Sequence, residues 1–202
     1  QRVESRRDLL PFFRPKLPGT SRELATHRAE FVHQGEAIGS QPNRLPLLLD
    51  MLGERLQFER IGVRLYEALI AKREDLGDAA YGTTLPTILD LQRIGRDELQ
   101  HFFLIRDVIL ELGGDPTMMT PSADVVTMLG NSLIQVLTDP RTDFKQCLQA
   151  ILAAELQDSD GWMLLIEVAR TAGRVSLAAE FEAAHEQELE HLELVRKWLH
   201  AS

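Results

Sequence analysis

The sequence has little of the residue types that mark several classes of protein. Cys147 is its only cysteine, which excludes a disulfide within the chain and a zinc site built from cysteines. Aromatic residues make up 6% of the chain, and the abundance of Leu, Ala, Glu and Arg favours helices over sheet. The first expectation is therefore an all-α protein.

Long apolar runs and an excess of positive charge are also missing. No stretch reaches the ~18 consecutive apolar residues of a membrane span, and the first residues, QRVESRRDLLPFF, lack the apolar core of a secretion signal. The formal net charge of −9 repels phosphate backbones, which makes nucleic acid a poor partner. We therefore expect a cytoplasmic protein that has neither a membrane nor a nucleic-acid partner.

Breaks in the hydrophobic pattern divide the chain into an N-terminal part, 1–44, and a larger domain, 45–202. In the first part, the prolines predict an extended arm, and 21–38 is typical of a short helix. The second part predicts four long helices and a crossover, 113–142, which contains the helical segment SADVVTMLGNSLIQVL. The long helices are expected at about 45–72, 85–112, 143–170 and 176–200.

The second long helix has an apolar stripe that is interrupted at its centre. Glu98 and His101 occupy stripe positions, and their spacing of three residues places them on the same helix face. Burying an unpaired carboxylate is very costly, so these two residues need compensation from elsewhere in the protein. The flanking members of the stripe are Leu91, Ile94, Ile105, Val108 and Leu112.

The other three long helices carry charged residues in their stripes at similar places. At about 1.5 Å per residue, Glu59 and Glu98 lie at nearly equal depth, roughly fourteen and thirteen residues from the first turn. Glu155 and Glu188 lie roughly sixteen and thirteen residues from the second turn. Each hairpin thus presents one Glu on its first helix and Glu-x-x-His on its second, the second such pair being Glu188 and His191.

Packing the two hairpins together would bring four Glu and two His to one plane in the middle of a bundle. Two divalent cations would neutralise the four carboxylates, and the imidazoles would complete the ligand set. Mixed oxygen and nitrogen ligands suit iron or manganese better than zinc.

This pattern resembles the ferritin-like di-iron/di-manganese carboxylate superfamily, which includes the rubrerythrins. Its members are four-helix bundles in which two helices each supply one Glu and two each supply Glu-x-x-His. The resemblance covers residues 45–200 and implies an up-down-down-up four-helix bundle, here with a long crossover and an N-terminal helical extension. It implies the metal ligands Glu59, Glu98, His101, Glu155, Glu188 and His191. Glu98 and Glu188 would bridge the metals, and no cysteine-rich rubredoxin-type module follows.

Other polar residues near this pattern have two readings each. Asp158 either accepts a hydrogen bond from a ligand histidine or reaches the rim of the bundle, and Tyr66 is either a core residue or a redox participant. Both are expected as neighbours of the ligands. Two further Glu-x-x-His pairs are interpreted as solvated residues. The pair at 30–33, in the N-terminal helix, has no partner set, and the pair at 182–185 lies off the stripe of the fourth long helix.

The resemblance implies an oxidoreductase with two iron ions, or manganese as the alternative, that acts with oxygen or peroxide and an unknown electron donor. The alternatives are an iron-storage protein that oxidises iron, a manganese catalase-like enzyme, and a metal-free helical scaffold. A tRNA-hydroxylating enzyme is disfavoured by the acidic charge. A homo-oligomer is compatible with the sequence, which specifies neither substrate nor electron donor.

Overall fold

Every regular element in the described part of the chain is an α-helix. The computed structural model describes residues 44–77 and 85–201. The predicted arm and short helix, in residues 1–43, lie outside this part. The helices are α1 (Leu45–Leu76), α2 (Ile88–Glu111), α3 (Pro121–Thr138), α4 (Phe144–Thr171) and α5 (Val175–Ala201).

Side-chain caps set the starts of the second and fourth helices. Thr87 accepts a hydrogen bond from the backbone N–H of Asp90, whose side chain reaches back to Thr87, and this capping box places the start of α2 at Ile88. Asp143 and Gln146 form the same arrangement at the start of α4. The sequence pattern predicts that the second long helix starts near Leu85 or Pro86, slightly before its observed start at Ile88.

The first helix extends about one turn beyond its predicted end at residue 72 and stops at Leu76. Arg73 is buried and donates from Nε to the carbonyl oxygen of Pro86 at 3.2 Å, which holds the last turn against the start of α2. The helix ends where Gly77 takes a φ of 66°, a value that other residues rarely adopt.

The four long helices contact one another in the cyclic order α1, α2, α5, α4. The shorter α3, formed by the predicted crossover segment, packs against both α1 and α4. No described helix is both long enough and apolar enough to cross a membrane.

The core consists of two apolar clusters separated by a layer of polar side chains. One cluster contains Leu65, Ile94, Ile151 and Val195 from the four long helices. The other contains Leu52, Ile105, Leu165 and Phe181 from the same helices. On α2, α4 and α5 the predicted ligand residues fall between members of the two clusters, and on α1 Glu59 lies within one turn of members of both. The fold therefore places these residues at mid-height in its interior.

Candidate metal centre

The six predicted ligand residues are buried. None is more than 3% exposed, and Glu59, Glu188 and His191 have no exposed surface at all. Charged groups in such a position require partners or bound ions. The charged residues that interrupt the apolar stripes therefore lie inside the protein and not on its surface.

The structure brings all six residues together around a shared carboxylate. Atoms of Glu59, His101 and Glu188 lie within 4.8 Å of one another, as do atoms of a second group made of Glu98, Glu155, Glu188 and His191. Glu188 belongs to both groups, so it lies between two possible positions for an ion.

Both histidines turn Nδ1 toward these carboxylates. His101 Nδ1 is 2.6 Å from Glu188 Oε1 and 3.7 Å from Glu59 Oε2, although neither approach is aligned as a hydrogen bond. His191 Nδ1 forms a 3.0 Å hydrogen bond with Glu188 Oε2 and lies 3.5 Å from Glu98 Oε1. Both imidazoles therefore present the same nitrogen to the acidic cluster.

The other nitrogen of each histidine is held by the opposite helix. His101 Nε2 forms a 3.0 Å hydrogen bond with Gln187 Oε1, and His191 Nε2 forms a 3.2 Å hydrogen bond with Asp97 Oδ2. Such a partner fixes the orientation of a ligating imidazole. The sequence analysis missed both residues, yet each directly precedes the glutamate of a Glu-x-x-His pair, which is the signal that could have found them.

Asp158 has a different role from either of the two expected for it. Its Oδ1 accepts a hydrogen bond from Arg55 Nη1 at 2.5 Å, and its carbonyl oxygen accepts another from the same nitrogen at 2.9 Å. It is 2% exposed, so it does not reach the rim, and its hydrogen-bond partner is Arg55 and not a histidine. Its carboxylate is nevertheless close to the site, within 4.8 Å of ligand atoms of Glu59, Glu98 and Glu188.

Arg55 was not singled out from the sequence. It is completely buried on α1, and its guanidinium carbon lies 4.5 Å above the ring centre of Phe58. Although burial opposes the charged form, Asp158 and other acidic neighbours raise the pKa of Arg55 above its ordinary value. The candidate site therefore contains one permanent cation of its own.

Tyr66 is buried in the core and also contacts the cluster. Its hydroxyl donates a hydrogen bond to Glu155 Oε1. Trp162, on α4, packs edge-on against His101 with 5.5 Å between ring centres. Both aromatic side chains thus lie directly against the candidate ligands.

The pKa values of the four glutamates shift in different directions. Burial raises three of them, and the two histidines lower the fourth. Burial and the charge of Glu188 raise the pKa of Glu155 to about 8 and that of Glu98 well above its usual range. Burial also raises the pKa of Glu59. Glu188 differs because, against the effect of burial, the two histidines beside it lower its pKa to about 2.

The histidines hold their protons strongly. Burial alone would lower their pKa values, but Glu188 outweighs it, together with Glu59 for His101 and Glu155 for His191. The pKa of His101 rises to about 11 and that of His191 to about 9. Without bound ions, the protons of the two histidines therefore offset the charge of Glu188.

Several ligand atoms in the described cluster have no hydrogen-bond partner. They are both carboxylate oxygens of Glu59, one oxygen each of Glu98, Glu155 and Glu188, and Nδ1 of His101. Buried polar atoms are nearly always satisfied, so an unpaired set calls for an explanation such as an ion. This donor set fits a divalent cation, which accepts carboxylate oxygen and imidazole nitrogen together.

The Glu-x-x-His pair at 182–185 lies outside these groups. Glu182 forms an ion pair with Arg170, and His185 Nε2 forms a 3.1 Å hydrogen bond with Ser159. The pair at 30–33 lies outside the described residues.

Gly62 has no side chain, and this leaves room for the carboxylate of Glu98. A Cβ atom at this position of α1 would overlap Glu98 Oε2 and lie 2.9 Å from Cδ. We expect Gly62→Ala to lower stability by about 1–3 kcal/mol, because overpacking outweighs the better helix propensity of alanine. Thermal unfolding followed by circular dichroism measures the change.

Gly95→Ala is the matched control for this substitution. Its Cβ would meet only the Cβ of Tyr66, at 3.4 Å, which is an ordinary contact. This variant should be unchanged or slightly more stable. If Gly62→Ala and Gly95→Ala change the stability equally, the claim that Glu98 needs the room at Gly62 is wrong.

No family model, curated protein or solved structure matches this chain. The arguments for its function therefore rest on the helical fold and the buried cluster.

Proposed function

We propose that this protein is a ferritin-like four-helix bundle that binds two divalent metal ions and uses them for redox chemistry with oxygen or peroxide. The observation that carries the proposal is the buried set of ligand atoms that lack a hydrogen-bond partner. Six such atoms belong to five of the six predicted ligands. Two cations would satisfy these atoms and neutralise four glutamates.

The two overlapping groups of ligand atoms support a dinuclear site. Glu59 and His101 would hold one ion and Glu155 and His191 the other, with Glu188 shared because it belongs to both groups. Glu98 joins the second group and also lies within 4.8 Å of Glu59 and Glu188 atoms, which supports bridging by Glu98. Oxygen-rich ligands with one imidazole per ion favour iron, with manganese as the alternative.

The protein's contribution is shielding and orientation. When bound, the metal ions supply the exchange of electrons with oxygen or peroxide. The near-complete burial of the ligands excludes bulk water, and Tyr66 holds a proton at Oε1 of Glu155. Asp97 and Gln187 keep the imidazoles turned toward the carboxylates. So enclosed a site favours a very small reactant, and the electron donor is unidentified.

Metal analysis of protein purified without chelators tests the proposal. We expect close to two iron or manganese ions per chain, and after reconstitution with ferrous or manganous ion we expect consumption of oxygen or peroxide. Absence of bound metal even after reconstitution would leave a metal-free scaffold. The mass in solution separates the storage alternative, since iron deposition requires a large hollow shell.

Asp97→Asn is expected to weaken metal binding by about 10–100-fold, the usual effect of losing a partner behind a ligand histidine. The amide keeps the size of the side chain but removes the negative charge next to His191 Nε2. The affinity for metal is measured by calorimetric titration with manganous ion, after a chelator has removed any bound metal from the protein. Asp107→Asn, an exposed position on the same helix that pairs with Arg106, is the control. Identical affinities in both variants would contradict the role of Asp97.

A further inference from the structure

The two glutamates that lie outside the Glu-x-x-His pairs have different neighbours. Glu59 on α1 and Glu155 on α4 occupy corresponding places, each at the boundary between the two apolar clusters. Four residues before them, one turn away, the helices carry Arg55 and Ile151 respectively, and both of these side chains are fully buried. One side of the site therefore contains an arginine where the other side has a hydrocarbon.

The guanidinium of Arg55 is fixed beside Glu59. Its Nε lies 3.9 Å from Glu59 Oε1, and Nη1 is held by Asp158. A Cβ at Gly161 would lie 2.5 Å from Nη1 and 2.7 Å from Cζ, so only glycine leaves this space. The cation is thus built into the core and cannot turn away from the site.

Arg55 also controls the one additional carboxylate within reach. Asp158 approaches ligand atoms of Glu59, Glu98 and Glu188 closely enough to act as a ligand, but Arg55 engages its Oδ1 and its carbonyl oxygen. A carboxylate held in a short ion pair with arginine is a poorer donor to a metal ion. The guanidinium therefore both repels an ion near Glu59 and competes for Asp158.

The opposite side has neighbours that favour a cation. Glu155 receives its hydrogen bond from the neutral hydroxyl of Tyr66, and His191 faces the carboxylate of Asp97, whereas His101 faces a neutral amide. Arg93 lies 3.3 Å from Asp97, but its side chain is 43% exposed and its charge is screened by solvent. Glu54 Oε2 lies 3.5 Å from Arg55 Nε and offsets part of its charge. The inequality therefore rests on the buried guanidinium beside Glu59, which has no counterpart four residues before Glu155, where Ile151 stands.

We propose that Arg55 makes the two metal positions unequal, so that the position at Glu155 and His191 fills first and the position at Glu59 and His101 fills second, with lower affinity. This inference rests on the proposed function, because it assumes that both positions take a metal ion. It assigns Arg55 as a positioning residue that sets the order of loading.

Titration of the metal-free 202-residue chain with manganous ion, followed by electron paramagnetic resonance, tests the order of loading. We expect the first equivalent to give the spectrum of an isolated protein-bound ion and the second to convert it into that of a coupled pair. Glu59→Gln should remove the weaker step and keep the tighter one. Glu155→Gln should do the reverse.

Arg55→Met should strengthen the weaker step by about tenfold or more, because it removes the cation and frees Asp158. Arg55→Lys keeps the charge and should keep the weaker step, which separates charge from packing. Because Arg55→Met leaves Asp158 unpaired and endangers folding, Arg55→Met with Asp158→Asn provides a second variant that should also show a stronger second step. Arg170→Met, in an exposed ion pair with Glu182, is the control.

The outcomes distinguish this inference from the proposed function. Simultaneous filling of both positions in the unmodified chain overturns the inference alone. So does a second step that is strengthened neither by Arg55→Met nor by Arg55→Met with Asp158→Asn. A chain that binds neither manganous nor ferrous ion overturns the proposed function, and the inference falls with it.

Discussion

Replacing either Glu98 or Glu188 by Gln is expected to abolish the binding of a metal pair. Each of these glutamates lies within reach of ligand atoms from both hairpins. An amide is neutral and offers one weak donor oxygen. Because losing only a partner behind a ligand already costs about 10–100-fold in affinity, we expect a larger loss here. Metal analysis after reconstitution should give one ion per chain or none.

The same two substitutions should have opposite effects on the metal-free protein. Burial and Glu188 raise the pKa of Glu98, so folding disfavours the charged form of this carboxyl, and Gln removes that charge. Glu98→Gln should therefore stabilise the chelated protein. Glu188 is the ionised partner of His101 and His191, so Glu188→Gln should cost about 3–5 kcal/mol, as expected when a buried ion pair loses one member.

Urea unfolding of the chelated variants at neutral pH measures both effects. Glu190→Gln, at an exposed position on the same helix as Glu188, should change neither stability nor metal content. If both site variants still bind two metal ions with unchanged affinity, the ligand assignment is wrong.

The metal-free protein should lose stability as the pH rises from about 5 to about 9. Glu155 has its pKa raised from 4.5 to about 8, and His101 and His191 from 6.5 to about 11 and about 9. For a group with a raised pKa, the folded state binds the proton more tightly. Its contribution is complete below the unfolded pKa and is lost as the pH rises through the folded pKa.

Glu188 acts in the other direction and at lower pH. Its pKa falls from 4.5 to about 2, so its contribution is present above 4.5 and is lost on acidification toward 2. Stability without metal should therefore be highest in the mildly acidic range. The shift of Glu155 alone, at about 1.4 kcal/mol per pKa unit, corresponds to a loss on the order of 5 kcal/mol at alkaline pH.

Metal should reverse this dependence. Cations bind the deprotonated ligands, so their affinity increases with pH. The difference in melting temperature between the metal-loaded and chelated protein should thus widen between pH 5 and pH 9. A chelated protein that is more stable at pH 9 than at pH 5 would contradict the described proton balance.

The sequence predicted those features that are written into local patterns. The stripes of α1, α2, α4 and α5 predicted these helices, and the same stripes exposed the six charged positions because a charge in an apolar stripe is conspicuous. The turn formers after each helix placed the breaks to within a few residues. Whether the helices form the ferritin-like arrangement stays a proposal.

The residues that the sequence did not reveal depend on contacts between distant parts of the chain. Arg55 lies beside a stripe, and its ion-pair partner is 103 positions away. Asp97 and Gln187 each stand one residue before a predicted ligand, but only the packing of α2 against α5 pairs them with the histidines of the opposite helix. Asp158 was noticed, but its partner was not, since nothing in local spacing links α1 to α4.

The junction between α1 and α4 and the junction between α2 and α5 differ in how they exclude water. At α1 and α4 the apolar side chains of α3 cover the junction, whereas α2 and α5 meet through the Asp97–His191 and Gln187–His101 pairs, of which Gln187 is exposed to solvent. Hydrogen bonds at a wet edge break at lower free energy than packed hydrocarbon. Amide hydrogen exchange should therefore be faster in the middle of α2 and α5 than in α1 and α4, and such an opening would give the proposed ions and small oxidants an entrance to the buried cluster.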